Sequence, residues 1–154
     1  MDVELRDDER DRSESMRNYL WSITLALYFA SLLLPGVTVG EESSRGILLL
    51  VLGVLGNVYG EFRWAANVLL LFGLILVGIR DRRSTLALVL LGAGFALAAS
   101  CMVILPRVPD NGSSLTHVVP APLALGGYVW VAAHLSAFVL GVASHRAEAK
   151  RLQG

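Results

Sequence analysis

The chain has 154 residues, of which 55% are hydrophobic and 17% are charged, and its mean hydropathy is +0.60. A soluble domain is roughly 45–50% apolar and about 25% charged. The basic and acidic residues number 13 each, and no basic patch lies outside the flanks of the apolar blocks, so nucleic acid is excluded as a main partner. Because the apolar residues form long blocks, the composition predicts an integral membrane protein.

The N-terminal residues 1–17 are almost all polar, with seven acidic side chains against four arginines. Pairs such as Asp8 and Arg12 have the i,i+4 spacing that weakly favours a helix. We interpret this segment as a charged cytoplasmic tail, either solvated or a frayed helix, with a docking segment for a soluble partner as the alternative. It is too long and too acidic to begin a signal peptide.

Four apolar segments follow, and each is predicted to cross the membrane. The first begins with Tyr19 and Trp21, which are typical of the membrane interface, and Pro35 falls in its last turns. Short hydrophilic or turn-rich loops separate the segments, and a basic cytoplasmic tail covers residues 146–154. The predicted spans are about 19–39, 61–79, 84–105 and 123–144, within a single membrane domain at 18–145.

The stretch from 46 to 79 is not one simple span. Two apolar pieces, 46–56 and 64–79, flank a polar and aromatic break. If both pieces cross there are five spans, and if the stretch crosses once there are four. As a helix the first piece reaches only about 17 Å, against a hydrocarbon core near 30 Å. We therefore expect it to be re-entrant or to lie in the interface.

The distribution of basic residues selects the four-span topology. With both termini inside, ten of the thirteen basic residues lie on the inner side, whereas five spans divide them seven and six in either orientation. The positive-inside rule favours the first arrangement. The predicted fold is an all-α integral membrane protein with four transmembrane helices plus a short re-entrant or interfacial helix before the second span. Anchors of this topology, close to anionic lipid headgroups, are Arg80, Arg82 and Arg83.

Polar and aromatic side chains cluster at the break, which we call the elbow (residues 57–67). They are Asn57, Tyr59, Glu61, Arg63, Trp64 and Asn67. Such a cluster can form an outward-facing pocket or pore mouth, but a capped turn with aromatic anchors is the favoured interpretation. Asn67 lies one turn into the second span, where an unpaired amide is costly, so it should face the bundle and find a partner. The candidate partner is His134 in the last span.

His134 also has two interpretations. An ionisable residue inside a membrane is by default a candidate functional residue, whereas a lone neutral histidine can join two helices by a hydrogen bond. We favour the second interpretation, because no other histidine or carboxylate lies at the same depth in the spans.

Catalytic, metal and cofactor sites are not predicted. His117 and His145 are too scattered to form a zinc site with His134, and the chain contains no nucleotide-binding loop, HExxH or GxSxG motif. Ser100 and Cys101 are expected to be packing residues, since no base is near them in sequence. The chain is therefore not expected to be an enzyme.

The sequence Phe-Arg-Trp-Ala-Ala-Asn at 62–67 follows the short Gly- and Leu-rich piece. In this it resembles a group of small uncharacterised bacterial four-helix integral membrane proteins with an aromatic-x-Trp-x-x-Asn element. The resemblance covers most of residues 19–145. It implies the same broken-segment architecture and no assigned activity.

The expected function is that of a non-enzymatic small polytopic membrane protein acting through association. It would be an accessory subunit of a membrane complex or an oligomeric effector or immunity-type protein, with membrane lipid and either copies of itself or a larger complex as partners. The alternative is an oligomeric channel or small transporter with a polar path near the elbow and His134. Arginine outnumbers lysine twelve to one, a bias typical of GC-rich bacterial genomes, so we expect the bacterial cytoplasmic (inner) membrane.

Overall fold

The computed structural model describes residues 2–39, 42–47, 49–50, 62–79, 84–109 and 118–153. This part of the chain is mostly helical, which confirms that aspect of the predicted fold. Its four long helices are α1 (Asp2–Leu33), α2 (Ala65–Gly78), α3 (Ser84–Val103) and α4 (Leu125–Gln153), and a 3₁₀ turn, Phe62–Trp64, leads into α2.

In the described part of the chain, two short antiparallel hairpins accompany the helices. The first lies where the end of the first span and a loop were predicted, and the second lies within a predicted loop. One pairs β1 (Pro35–Val39) with β2 (Glu42–Arg45), and the other pairs β3 (Arg107–Pro109) with β4 (Val118–Pro120). The fold is therefore not purely α-helical. Strands this short carry no strong sequence pattern, and the second hairpin lies in a segment whose composition is rich in turn residues.

The first helix is longer at its start and shorter at its end than predicted. It begins at Asp2, so residues 2–17 of the charged segment continue directly into the apolar part. It ends at Leu33 because Pro35 disfavours helical backbone in the residue before it and supplies no N–H. Pro35 opens β1 instead, so the expectation that residues 19–39 form one helix is wrong in its last turns.

Within the described residues, two helices are long and apolar enough to cross a membrane, Ser84–Val103 in α3 and Leu125–Ala149 in α4. The 3₁₀ turn and α2 together, Phe62–Gly78, form a shorter apolar helix. The apolar part of α1 is cut short at Leu33. Membrane association is thus supported through α3 and α4, whereas four transmembrane helices are not supported by helix length and composition alone.

The helices pack in an antiparallel order around α4. Helix α4 packs on both α1 and α3, and α3 packs on α2. The centre is Leu91 of α3, which is 1% exposed and lies between Gly73 of α2 and Gly141 of α4. A methyl group built on Gly73 would lie 2.5 Å from Leu91 Cδ2, and one on Gly141 would lie 3.0 Å from Leu91 Cδ1. These glycines let three helix backbones approach one leucine side chain.

The first hairpin is attached to the segment that enters α4. Thr38 N–H donates to Pro122 O at 3.1 Å, and Ala124 N–H donates to Gly36 O at 3.0 Å. Gly126 in the first turn of α4 lies so close to Pro35 that an added methyl group would be 2.7 Å from its carbonyl oxygen. The end of α1 and the start of α4 are therefore fixed to each other by the backbone.

The start of the predicted re-entrant piece bridges α1 and α2. Residues 46–47 and 49–50 are helical, and Gly46 N–H donates to Leu34 O at 3.0 Å. Leu50 O accepts a hydrogen bond from Trp64 Nε1 at 2.8 Å. The rest of that piece lies outside the described residues, as do the predicted anchors Arg80, Arg82 and Arg83. The re-entrant geometry stays a prediction.

Candidate functional site: a hydrogen-bonded cluster between α1, α2 and α4

The amide of Asn67 joins three helices. Its Oδ1 accepts hydrogen bonds from Trp130 Nε1 of α4 at 2.8 Å and from the Tyr28 hydroxyl of α1 at 3.3 Å. The first bond is short and the second is long for a hydroxyl donor. Because an indole N–H can only donate, the oxygen of the amide must be the atom that faces Trp130. The orientation of the Asn67 amide is therefore fixed by its chemistry.

His134 joins α4 to α2 through backbone carbonyl groups. Its Nδ1 lies 2.9 Å from Trp130 O, one turn earlier in α4, and its Nε2 lies 3.2 Å from Ala66 O in α2. A neutral imidazole carries one N–H and can donate to only one of these oxygens, whereas the imidazolium donates to both. The ring is 1% exposed and meets Trp130 edge-on, with ring centroids 4.7 Å apart.

The predicted pairing of Asn67 with His134 is corrected by these contacts. The two residues lie in the same cluster, but Asn67 binds Trp130 and Tyr28, while His134 binds the carbonyl groups of Ala66 and Trp130. The relative register of α2 and α4 brings the histidine to the backbone beside Asn67 rather than to its amide. Trp130 is common to both sets of contacts.

A second polar contact joins α1 to α4 farther along the same pair of helices. Thr24 Oγ1 lies 2.9 Å from Ser136 Oγ and donates to Leu20 O at 2.8 Å. Since the single hydroxyl proton of Thr24 is directed at Leu20, Ser136 must be the donor of the interhelical bond. Sequence analysis did not identify Thr24 or Tyr28. The available signal was a hydroxyl group within an apolar helix, which by itself more often bonds to its own backbone.

The described elbow residues fix helix ends. Arg63 Nη1 donates to Ile104 O at 2.8 Å, just beyond the last residue of α3, and Trp64 Nε1 binds Leu50 O as noted above. Both side chains thus bind backbone carbonyl groups, as a capped turn requires. The other elbow candidates, Asn57, Tyr59 and Glu61, lie outside the described residues, so the elbow as a whole stays a prediction.

The remaining candidate side chains contact either their own helix or a neighbouring helix. Ser100 Oγ donates to Leu97 O at 2.6 Å, and Cys101 Sγ lies 3.9 Å from the same oxygen. His145 Nδ1 lies 3.1 Å from Ser84 Oγ, which joins the start of α3 to α4. Among the residues that the structure describes, no three metal-ligating side chains come together, and His117 lies outside them.

The cluster is suited to holding helices together. Asn67 Oδ1 accepts from two other helices and His134 reaches a carbonyl group of α2, and interhelical hydrogen bonds in a membrane are worth about 0.6–2 kcal/mol each. Comparison with models of known protein families, with curated proteins and with solved structures finds no match for this chain. The resemblance based on residues 62–67 therefore stays a prediction.

Proposed function

We propose that the protein is a small multi-pass membrane protein that acts by association, as an accessory subunit of a membrane complex or as an oligomeric effector or immunity-type protein. The observation that carries this proposal is the division of side chains between the inside and the outside of the bundle. Inside, Thr24, Asn67 and His134 bind groups of neighbouring helices. Outside, large apolar side chains are exposed along α2, α3 and α4, among them Leu71, Phe72, Ile75, Val89, Leu135 and Val139.

The packing supports four membrane-spanning segments even though the apolar part of α1 and the unit Phe62–Gly78 are short. Thr24 of α1 lies beside Ser136 of α4, and Gly73 of α2 lies against Leu91 of α3, so all four helices overlap at the same depth. A bilayer that surrounds α3 and α4 must also surround the apolar parts of α1 and α2. The shorter unit Phe62–Gly78 reaches about 25 Å at 1.5 Å per residue, and local thinning of the bilayer can accommodate that length.

The antiparallel order of the helices supports the proposed orientation. An even number of spans brings the start of α1 and the end of α4 to the same side of the bundle. The positive-inside rule assigns that side to the cytoplasm, since most basic residues then lie there. We place the protein in the bacterial cytoplasmic membrane with both termini inside.

The contacts of two residues that a channel would use favour association over the channel alternative. Asn67 Oδ1 is bound to Trp130 and Tyr28, and both ring nitrogens of His134 face carbonyl oxygens. A polar path through them would have to break several of these bonds. The close helix contacts at Gly73 and Gly141 instead favour a compact structural unit.

Extraction into lipid nanodiscs directly from the native membrane, followed by mass measurement, tests the proposal. We expect a defined homo-oligomer or a partner protein in fixed stoichiometry. A monodisperse monomer with no partner would contradict association. Ion flux in liposomes containing the pure protein, reduced by His134→Ala but not by the Ser100→Ala control, would instead favour the channel.

Cysteine labelling in a Cys101→Ser background tests the topology separately. A cysteine introduced at Asn111 should react with a membrane-impermeant reagent added from outside, and one introduced at Arg82 should react only after the membrane is opened. The reverse pattern would overturn the proposed orientation. Labelling of both sites from the same side would contradict an odd number of crossings between them.

A further inference from the structure

The side of the bundle between α1 and α2 differs from the other sides. Helix α1 packs mainly on α4 and α2 mainly on α3, and within the described residues α1 and α2 approach each other only sparsely. We call this side of the bundle the α1–α2 cleft, and there Trp130 of α4 donates to Asn67. Tyr28 and Asn67 meet across it, and Leu25 and Leu70 belong to the apolar cluster beside it.

The nitrogen of the Asn67 amide is a polar group of this cleft for which the described residues supply no partner. Because Oδ1 is held by the indole N–H, Nδ2 carries both remaining amide protons on the opposite side of the group. Among the described residues, Nδ2 finds no acceptor, while the side chain as a whole is only half-buried. Two amide protons without an acceptor are costly in an apolar environment, so a molecule that brings an acceptor is stabilised there.

The position of Asn67 along α2 indicates the depth of that acceptor. Arg63, whose guanidinium binds Ile104 O, lies four residues earlier, and a charged side chain is held near the interface by its need for water. Four residues of helix correspond to about 6 Å, comparable to the thickness of the interfacial layer on one side of a bilayer. This places the amide where the glycerol ester groups of phospholipids meet their acyl chains.

We propose that the α1–α2 cleft binds a diacyl phospholipid, with Asn67 Nδ2 donating a hydrogen bond to one of the lipid's ester carbonyl oxygens. The apolar side chains of the cleft then contact an acyl chain. This inference rests on the membrane location given under the proposed function, but it does not depend on the number or identity of protein partners. It assigns Asn67 a ligand in addition to its role in joining helices.

Phospholipids that differ only at the ester carbonyl test the proposal. Purified protein in detergent is titrated with a diester phosphatidylglycerol and with the diether lipid of identical headgroup and chain length, and binding is followed by native mass spectrometry. One hydrogen bond between neutral groups corresponds to a preference of about two- to ten-fold for the diester. Asn67→Ala should abolish the preference. Ser100→Ala is the matched control, because it removes a hydrogen bond within α3, away from the cleft, and should keep the preference.

Equal binding of the two lipids by the natural protein would overturn the proposal, whether or not Asn67→Ala folds. A diester preference that persists in folded Asn67→Ala would also overturn it, because the carbonyl would then be recognised elsewhere. A different result would contradict the proposed function: the protein would not enter liposomes, or it would have no oligomer or partner in nanodiscs.

Discussion

Replacing Gly73 with alanine would place a methyl group inside the contact between α2 and α3. The added carbon would lie 2.5 Å from Leu91 Cδ2 and 2.6 Å from Leu91 Cγ, well below van der Waals distance. Leu91 cannot simply move aside, because it is 1% exposed and Gly141 of α4 lies on its other side. The helices must separate, or the leucine must adopt an unfavourable rotamer.

The expected cost follows from overpacking a buried contact. Inserting one methyl group into a well-packed core typically destabilises a protein by about 1–3 kcal/mol. Gly78→Ala is the matched control in the same helix, since a methyl group at Gly78 meets nothing within 4 Å among the described residues. The control should be neutral or slightly stabilising, because alanine is the better helix former.

The measurement is the free energy of unfolding in a lipid bicelle by steric trapping, with thermal unfolding in detergent as a second method. Leu91→Ala alone should cost about 2–5 kcal/mol, as large-to-small changes in a core do. Combined with Gly73→Ala, it should cost less than the sum of the two single changes, because the truncated side chain leaves room for the methyl group. Equal destabilisation by Gly73→Ala and Gly78→Ala, or strict additivity in the double variant, would refute this account of the packing.

Three further outcomes are expected in the same assay. Thr24→Val should lower the free energy of unfolding by about 1 kcal/mol, and adding Ser136→Ala should lower it little further, because each change removes the same interhelical bond. Full additivity of the two changes would contradict that bond. Arg63→Gln should destabilise the protein by about 1–3 kcal/mol, because it removes the charged donor to Ile104 O. Arg63→Lys keeps a charged donor and should destabilise less, and equal losses in the two variants would contradict this role of Arg63. His134→Phe, which keeps an aromatic ring at the site, should cost about 1–3 kcal/mol through lost contacts to helix carbonyl groups, and an unchanged unfolding free energy would contradict them.

Much of the helical framework could be predicted from hydrophobic blocks and their boundaries. The charged residues after Ile79 and the turn-rich residues after Leu105 enclose a segment that the structure shows as α3, Ser84–Val103. The end of α1 was missed because its apolar residues continue through Val39, although the backbone changes to a strand at Pro35. Hydropathy is the same in both conformations, so only the proline marked the boundary.

The hairpins and the polar cluster depend on contacts between distant parts of the chain. The first hairpin is held by Pro122 and Ala124, more than eighty residues later, and no local pattern reports that pairing. Asn67 and His134 were identified because an amide and an imidazole are unusual within a span. Their partners could not be chosen, since the choice between Trp130, Tyr28 and a backbone oxygen is decided by the relative rotation and register of three helices.

The pairing of α1 with α4 has a consequence for synthesis of the chain. Ser136, the partner of Thr24, is 112 residues later, and a ribosome adding about 5–20 residues per second needs on the order of ten seconds to reach it. During that interval α1 exists without the helix on which it mainly packs, and Thr24 has not yet met Ser136. A chain interrupted before α4 therefore exposes the face of α1 that α4 covers in the completed molecule.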